Sequence, residues 1–266
     1  MIQRSYFDGA NQADSTQYDY LTLASISGTK RLWRDFEREW RAVLTKHHAD
    51  FLHVTDAIGF QRNFSREKGW NERKRDAFIR DCVKAYGRHV ARPVSGRYPI
   101  GHFGLFSHTV TIPLKEYVRA RNENPEVPKS ANEICAAQSV NMVLDWAIKV
   151  VKVEHVELIF DQREPFKGHI CDRAENPKVL RDLPGLSIIK AIREENMREI
   201  PALQAVDLLG WCVSHKAEQS QPVWQKKMLL HPWLEEIHGY DDLVNPMRLA
   251  TDLARKWNLP RRKLHP

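Results

Sequence analysis

The sequence predicts an α/β fold, a mixed sheet flanked by helices and followed by a helical C-terminal extension. Three observations carry this. Short runs rich in Val, Ile and Phe stop abruptly at a carboxylate, as in Val156-Glu157-Leu158-Ile159-Phe160-Asp161, and read as buried strands. Longer segments repeat apolar residues three and four apart, which gives a helix one buried stripe. Strands and helices succeed one another along the chain, an order suited to helices layered on a sheet. The expected division is 1–220 for the sheet domain and 221–266 for the extension.

Gln3 to Phe7 reads as a first strand ending at Asp8, and the polar stretch Gly9 to Asp19 as a hairpin connection. Tyr20 to Ser27 is β-branched and reads as the second strand. Gly28-Thr29 opens a helix over Lys30 to Lys46, with Leu32, Trp33, Phe36, Trp40, Val43 and Leu44 on one stripe. Phe51 to Asp56 is a short apolar run ending in a carboxylate, and Gly59 to Trp70 a loop carrying Arg62, Arg66 and Lys68. Asn71 to His89 is a helix with a basic outer face. Val90 to Ile112 is strand-rich, with Gly96, Gly101 and Gly104 as turns or bulges.

A short helix over Leu114 to Arg121 and a proline-containing loop follow. Ser130 is expected to cap a helix running to Lys152, with Glu133 completing a capping box. The Asp161 strand comes next, then a polar, irregular stretch from Arg163 to Leu183 with room for one helical turn or more, and a strand over Leu186 to Ile192. Pro201 suits a helix start, and that helix runs to Lys216. From Pro222 the chain reads as helical pieces broken by Pro232, Pro246 and Pro260.

The chain has 266 residues, 42% of them hydrophobic, a formal net charge of +7 and a pI near 9.2. A basic balance favours acidic partners, and nucleic acid is the expected one. Cys82, Cys135, Cys171 and Cys212 show no CxxC or zinc spacing. They read as free thiols in a reducing, cytoplasmic setting. No signal peptide and no apolar run of about 18 residues is apparent, so membrane insertion is not expected. Phosphate-loop, dinucleotide-fold and nucleophile-elbow glycine motifs are all missing from the sequence.

The chemistry of interest lies in carboxylates on separate elements. Asp8 and Asp161 end apolar strands, where open α/β sheets gather ligands. Asp207 lies among Val206, Leu208 and Leu209 in a helix, a costly place for an unpaired charge. A cation would relieve that cost. Mg²⁺ and Mn²⁺ prefer such oxygen ligands, and paired ions serve phosphoryl transfer. Gln204, Asp207 and Trp211 share a helix face.

Four segments together resemble a known family. They are Tyr6-Phe7-Asp8-Gly9, Phe51-Leu52-His53-Val54-Thr55-Asp56, Leu158-Ile159-Phe160-Asp161 and Leu203-Gln204-Ala205-Val206-Asp207-Leu208-Leu209-Gly210. The chain from Arg4 to His215 is similar to domain-of-unknown-function family 3800, grouped with ribonuclease H-like folds. Here Gly-Ala-Asn follows Asp8 where the family has Glu-Ser-Gly, and Val206 replaces the usual Ala.

The resemblance implies that Asp8, Asp56, Asp161 and Asp207 form an acidic set holding two Mg²⁺ or Mn²⁺ ions that cut a phosphodiester. His53 is then an accessory catalytic residue, and Gln204, Arg62, Arg66 and Lys68 contact substrate. The alternative is a non-catalytic nucleic-acid- or protein-binding protein of the same fold, in a phage-defence or mobile-element setting. A homo-oligomer or a protein partner would use the C-terminal segment.

Overall fold

Side-chain alternation along the first strand sets up the two cores of the molecule. In β1 (Ile2–Ala10) Tyr6 enters one hydrophobic cluster and Phe7 the other, as the period-2 geometry of a strand requires. The computed structural model describes residues 2–11, 16–90, 104–162, 164–175, 184–216, 221–230 and 234–237. β2 (Tyr20–Thr29) runs antiparallel to β1, and β3 (Phe106–Pro113) antiparallel to β2. β4 (His155–Asp161) lies parallel to β1 on its other side, and β5 (Ile189–Glu195) parallel to β4. A short β6 (Leu234–Ile237) pairs in parallel with β3, giving the order β5-β4-β1-β2-β3-β6. The fold is α/β, a mixed sheet covered by helices on both faces.

One face is covered by α1 (Lys30–His47), α3 (Glu72–His89), α7 (Pro201–Ser214) and α8 (Val223–Leu229). The expected stripe of α1 holds: Trp33, Phe36, Trp40, Val43 and Leu44 are buried. Each large aromatic buried there contributes about 2–3 kcal/mol. The opposite face carries α4 (Leu114–Glu123), α5 (Ala131–Asp145) and α6 (Phe166–Glu175).

Several expectations change. β1 does not stop at Asp8; on the β2 side its pairing continues to Ala10↔Thr22, whereas on the β4 side it ends at Phe7↔Phe160. The Phe51–Asp56 run, read only as an apolar run ending in an acid, leads into the short helix α2 (Val54–Ile58), with Asp56 in its first turn. The following loop contains two 3₁₀ turns, Arg62–Phe64 and Arg66–Lys68. Ser130 occupies the cap position of α5 without a side-chain cap bond, so no capping box forms. A π-turn over Trp146–Val151 then ends that helical run.

The helical content allowed after Asp161 is α6, and the next strand starts only at Ile189, after a 3₁₀ turn over Pro184–Ile188. Gly96 and Gly101 lie outside the described residues, and Gly104 directly precedes the β3 region.

The C-terminal segment is not helical throughout. Trp224 and Met228 of α8 join the core beneath α7, and β6 extends the sheet. Among the described residues, one run does satisfy the length and hydropathy of a membrane span. Ala131–Val151 has a mean hydropathy of 1.3 over its most apolar window. It is apolar because it packs between the sheet and α6 as a core helix. The four cysteines are free thiols.

Candidate active site

Register brings the first two acids together. Phe7 and Phe160 are the last paired residues of β1 and β4, and their rings stack 4.7 Å apart on one face. Asp8 and Asp161 come next on each strand, so alternation directs both to the other face, under α7. α7 seats on β1 and β2 at Gly210, at a spacing that would accept a methyl group at ordinary contact distance. A methyl there would lie 3.6 Å from Cβ of Ala10 and 3.9 Å from the Asp8 carbonyl oxygen. Asp207, one turn before Gly210, is carried to the same place.

These acids are held by backbone donors. The Val54 N–H donates to Oδ2 of Asp207 at 2.8 Å, and the Met197 N–H to Oδ1 of Asp161 at 3.0 Å. Asp8 and Asp207 are 8% and 9% exposed. Burial and the neighbouring charges of Asp207, Glu164 and Asp161 push the Asp8 carboxyl well above its usual range. Asp207 is raised to about 6, chiefly by burial, with His53 and the Val54 N–H opposing. Burial also raises Asp161, against the Met197 N–H.

Glu164 belongs to this set and was missed in the sequence. Its Oε2 accepts from the Gly9 N–H at 3.1 Å, and its carboxyl shares a hydrogen bond with Asp8. Burial raises it to about 7. The available signal was a second acid three residues beyond a strand-ending one. Gly9, read as turn chemistry, instead clears space inside β1. A methyl there would fall 2.5 Å from the Phe166 ring and 2.9 Å from Oε1 of Glu164.

His53 flanks the cluster from the start of α2. Its Nδ1 lies 3.1 Å from Oδ2 of Asp56, at ion-pair distance without hydrogen-bond alignment. Its side chain remains 33% exposed. The same Asp56 oxygen meets Nη1 of Arg62 at 3.3 Å. Asp56 therefore faces His53 and Arg62, an outer position beside Asp207, whose carboxyl it helps to raise. Phe60 and Arg62 both have left-handed backbones, φ 53° and 48°. That conformation costs about 1–2 kcal/mol per non-glycine residue and fixes the loop that turns Arg62 toward Asp56.

The other expected substrate contacts fare differently. Arg66 pairs with Glu72 and lies over the Phe60 ring at 4.5 Å, and Lys68 donates to Asn63. Both stay on the exposed loop, with no contact to the acids. Gln204 is overturned as a substrate contact. It is 1% exposed, and both ends of its amide are used inside the protein. Facing inward, it bonds to Trp40, Leu52 and Met197. Trp211 stacks on His215 at 4.2 Å and packs against Trp224.

No family model, curated protein or solved structure matches this chain. The site is therefore judged on its own chemistry. Among the described residues, no three His, Cys, Asp or Glu side chains are already arranged as a metal site. The donor set nevertheless fits a hard divalent cation. It offers carboxylate oxygens from β1, β4, α7 and the turn before α6, in a buried place where their mutual repulsion raises Asp8. Protons relieve that repulsion in the bare protein, and a cation could replace them.

Proposed function

We propose that this chain is a divalent-metal-dependent nuclease on a ribonuclease H-like fold, hydrolysing phosphodiesters at a carboxylate site for two Mg²⁺ or Mn²⁺ ions. One observation carries the reading. Buried Asp8 and Asp207 and half-buried Asp161 come from three separate elements, near enough that Asp207 and Asp161 raise the Asp8 carboxyl beyond the effect of burial. Repulsive buried carboxylates are costly in a purely structural role. The mixed sheet with helices on both faces is compatible with the ribonuclease H-like resemblance.

Asp8, Asp161 and Asp207 would hold the ions, with Glu164 as fourth donor and Asp56 outside. Bound ions of this kind supply Lewis acidity at the phosphoryl group and lower the pKa of water. The remaining groups belong to the chain. The Val54 and Met197 N–H groups orient Asp207 and Asp161. His53, half-open beside Asp56, is placed to hold or pass a proton at the edge of the site. Arg62 adds positive charge where a phosphate backbone would approach, and the net charge of +7 favours a polyanion.

The test is cleavage of single-stranded and duplex DNA and RNA with Mn²⁺, in wild type, Asp8→Asn and Asp207→Asn, beside calorimetric Mn²⁺ titration of wild type and Asp161→Asn. Cleavage lost in both carboxamide variants and weaker Mn²⁺ binding are expected. Salt-sensitive nucleic-acid binding that survives in the variants, without cleavage in wild type, would favour the non-catalytic alternative.

A further inference from the structure

Gln204 lies near the start of α7 and is 1% exposed. Its Oε1 accepts from Trp40 Nε1 at 2.9 Å and from the Leu52 N–H at 3.0 Å. Its Nε2 donates to the Met197 carbonyl at 3.0 Å. Two of these partners lie on the segments that deliver backbone donors to the acids. Leu52 stands two residues before Val54, whose N–H holds Asp207. Met197 itself holds Asp161.

We propose that Gln204 is a positioning residue that ties these two segments to one amide and so sets the aim of Asp161 and Asp207. A side chain in this place must accept twice at one atom and donate at another. A Gln amide does this without charge, whereas Leu or Met of similar length does neither. Because α7 also carries Asp207 three residues later, helix and both donor segments move as one body around the acids. The consequence for metal binding rests on the proposed function; the aim of the two carboxylates does not.

The experiment measures amide hydrogen exchange at Val54 and Met197 in the metal-free full chain, together with thermal stability and Mn²⁺ affinity by calorimetry. The variants are Gln204→Met, Gln204→Glu and, as a control, Trp40→Phe. Gln204→Met should remove protection at both amides by about tenfold or more beyond the change in global stability. It should weaken Mn²⁺ by about 10–100-fold, the usual effect of losing a group that orients ligands. Gln204→Glu keeps both acceptor bonds and retains the fold. Its effect should fall on Met197 alone and grow with pH as the introduced carboxyl ionises. Trp40→Phe removes one bond to the same oxygen and should lower stability while sparing both amides and the Mn²⁺ affinity.

Exchange at Val54 and Met197 that merely follows global stability in all three variants overturns the proposal. So does equal weakening of Mn²⁺ by Trp40→Phe and Gln204→Met at equal stability. If wild type binds no Mn²⁺, the metal reading fails, and the two amides still decide the role of Gln204.

Discussion

Asp8 and Asp161 follow directly on Phe7 and Phe160, a parallel pair whose rings stack 4.7 Å apart on the opposite face of the sheet. The stacked pair fixes the register, and a one-residue slip would turn either acid into the other core. A buried acid and a half-buried one, placed on neighbouring strands in this way, determine how the protein responds to protons and cations.

Stability of the metal-free protein should fall as pH rises. Glu164 titrates at about 7 against 4.5, and Asp207 at about 6 against 3.8. Both folded values lie above the unfolded ones, so the folded chain binds more protons. That contribution is complete below the ordinary carboxyl range and is lost as pH passes through these raised values. The loss should be on the order of 3 kcal/mol for each group. Denaturant midpoints in chelator across this range measure it, and a flat profile would rule the coupled site out.

Divalent ions should reverse that loss, because they compete with protons for the same oxygens. At about a hundredfold excess over Kd, Mn²⁺ should raise the melting midpoint by about 5–10 °C near neutral or higher pH. The rise should shrink in acid and vanish in Asp161→Asn. An equal rise in that variant places the ion elsewhere.

Gly9→Ala should be more harmful than a strand glycine usually is. The added methyl meets the Phe166 ring at 2.5 Å and Oε1 of Glu164 at 2.9 Å. A loss of about 1–3 kcal/mol is expected from overpacking, with weaker Mn²⁺ binding as Glu164 is displaced. Unchanged binding would remove Glu164 from the ligand set.

Asp56→Asn separates the outer acid from the inner ones. Mn²⁺ affinity should stay within about threefold, whereas cleavage should drop by about 10–100-fold as His53 loses its charged partner. Collapse of Mn²⁺ binding would make Asp56 a direct ligand.

Much of this was legible in the chain because it depends on local periodicity. The stripe of α1, the strand ending at Asp161 and the proline-started helix bearing Asp207 appear with the expected elements, give or take terminal residues. Phe51–Asp56 showed only an apolar run ending in an acid, because the helix it leads into is five residues long, too short to show a period. Gln204 was misread because a helix face identifies neighbours along the helix, not whether the face looks inward.

By itself the sequence determined an α/β chain with acids closing two apolar strand runs and a third on an apolar helix, since residue type and spacing act within a few positions. Only the tertiary structure decided which acids meet. Glu164 reaches the Gly9 amide across 155 residues of chain, Asp207 reaches Val54 across 153, and Asp56 turns to His53 and Arg62 instead. Those pairings follow from strand register and from the close seat of α7 over β1, and no local pattern encodes a distance between elements so far apart.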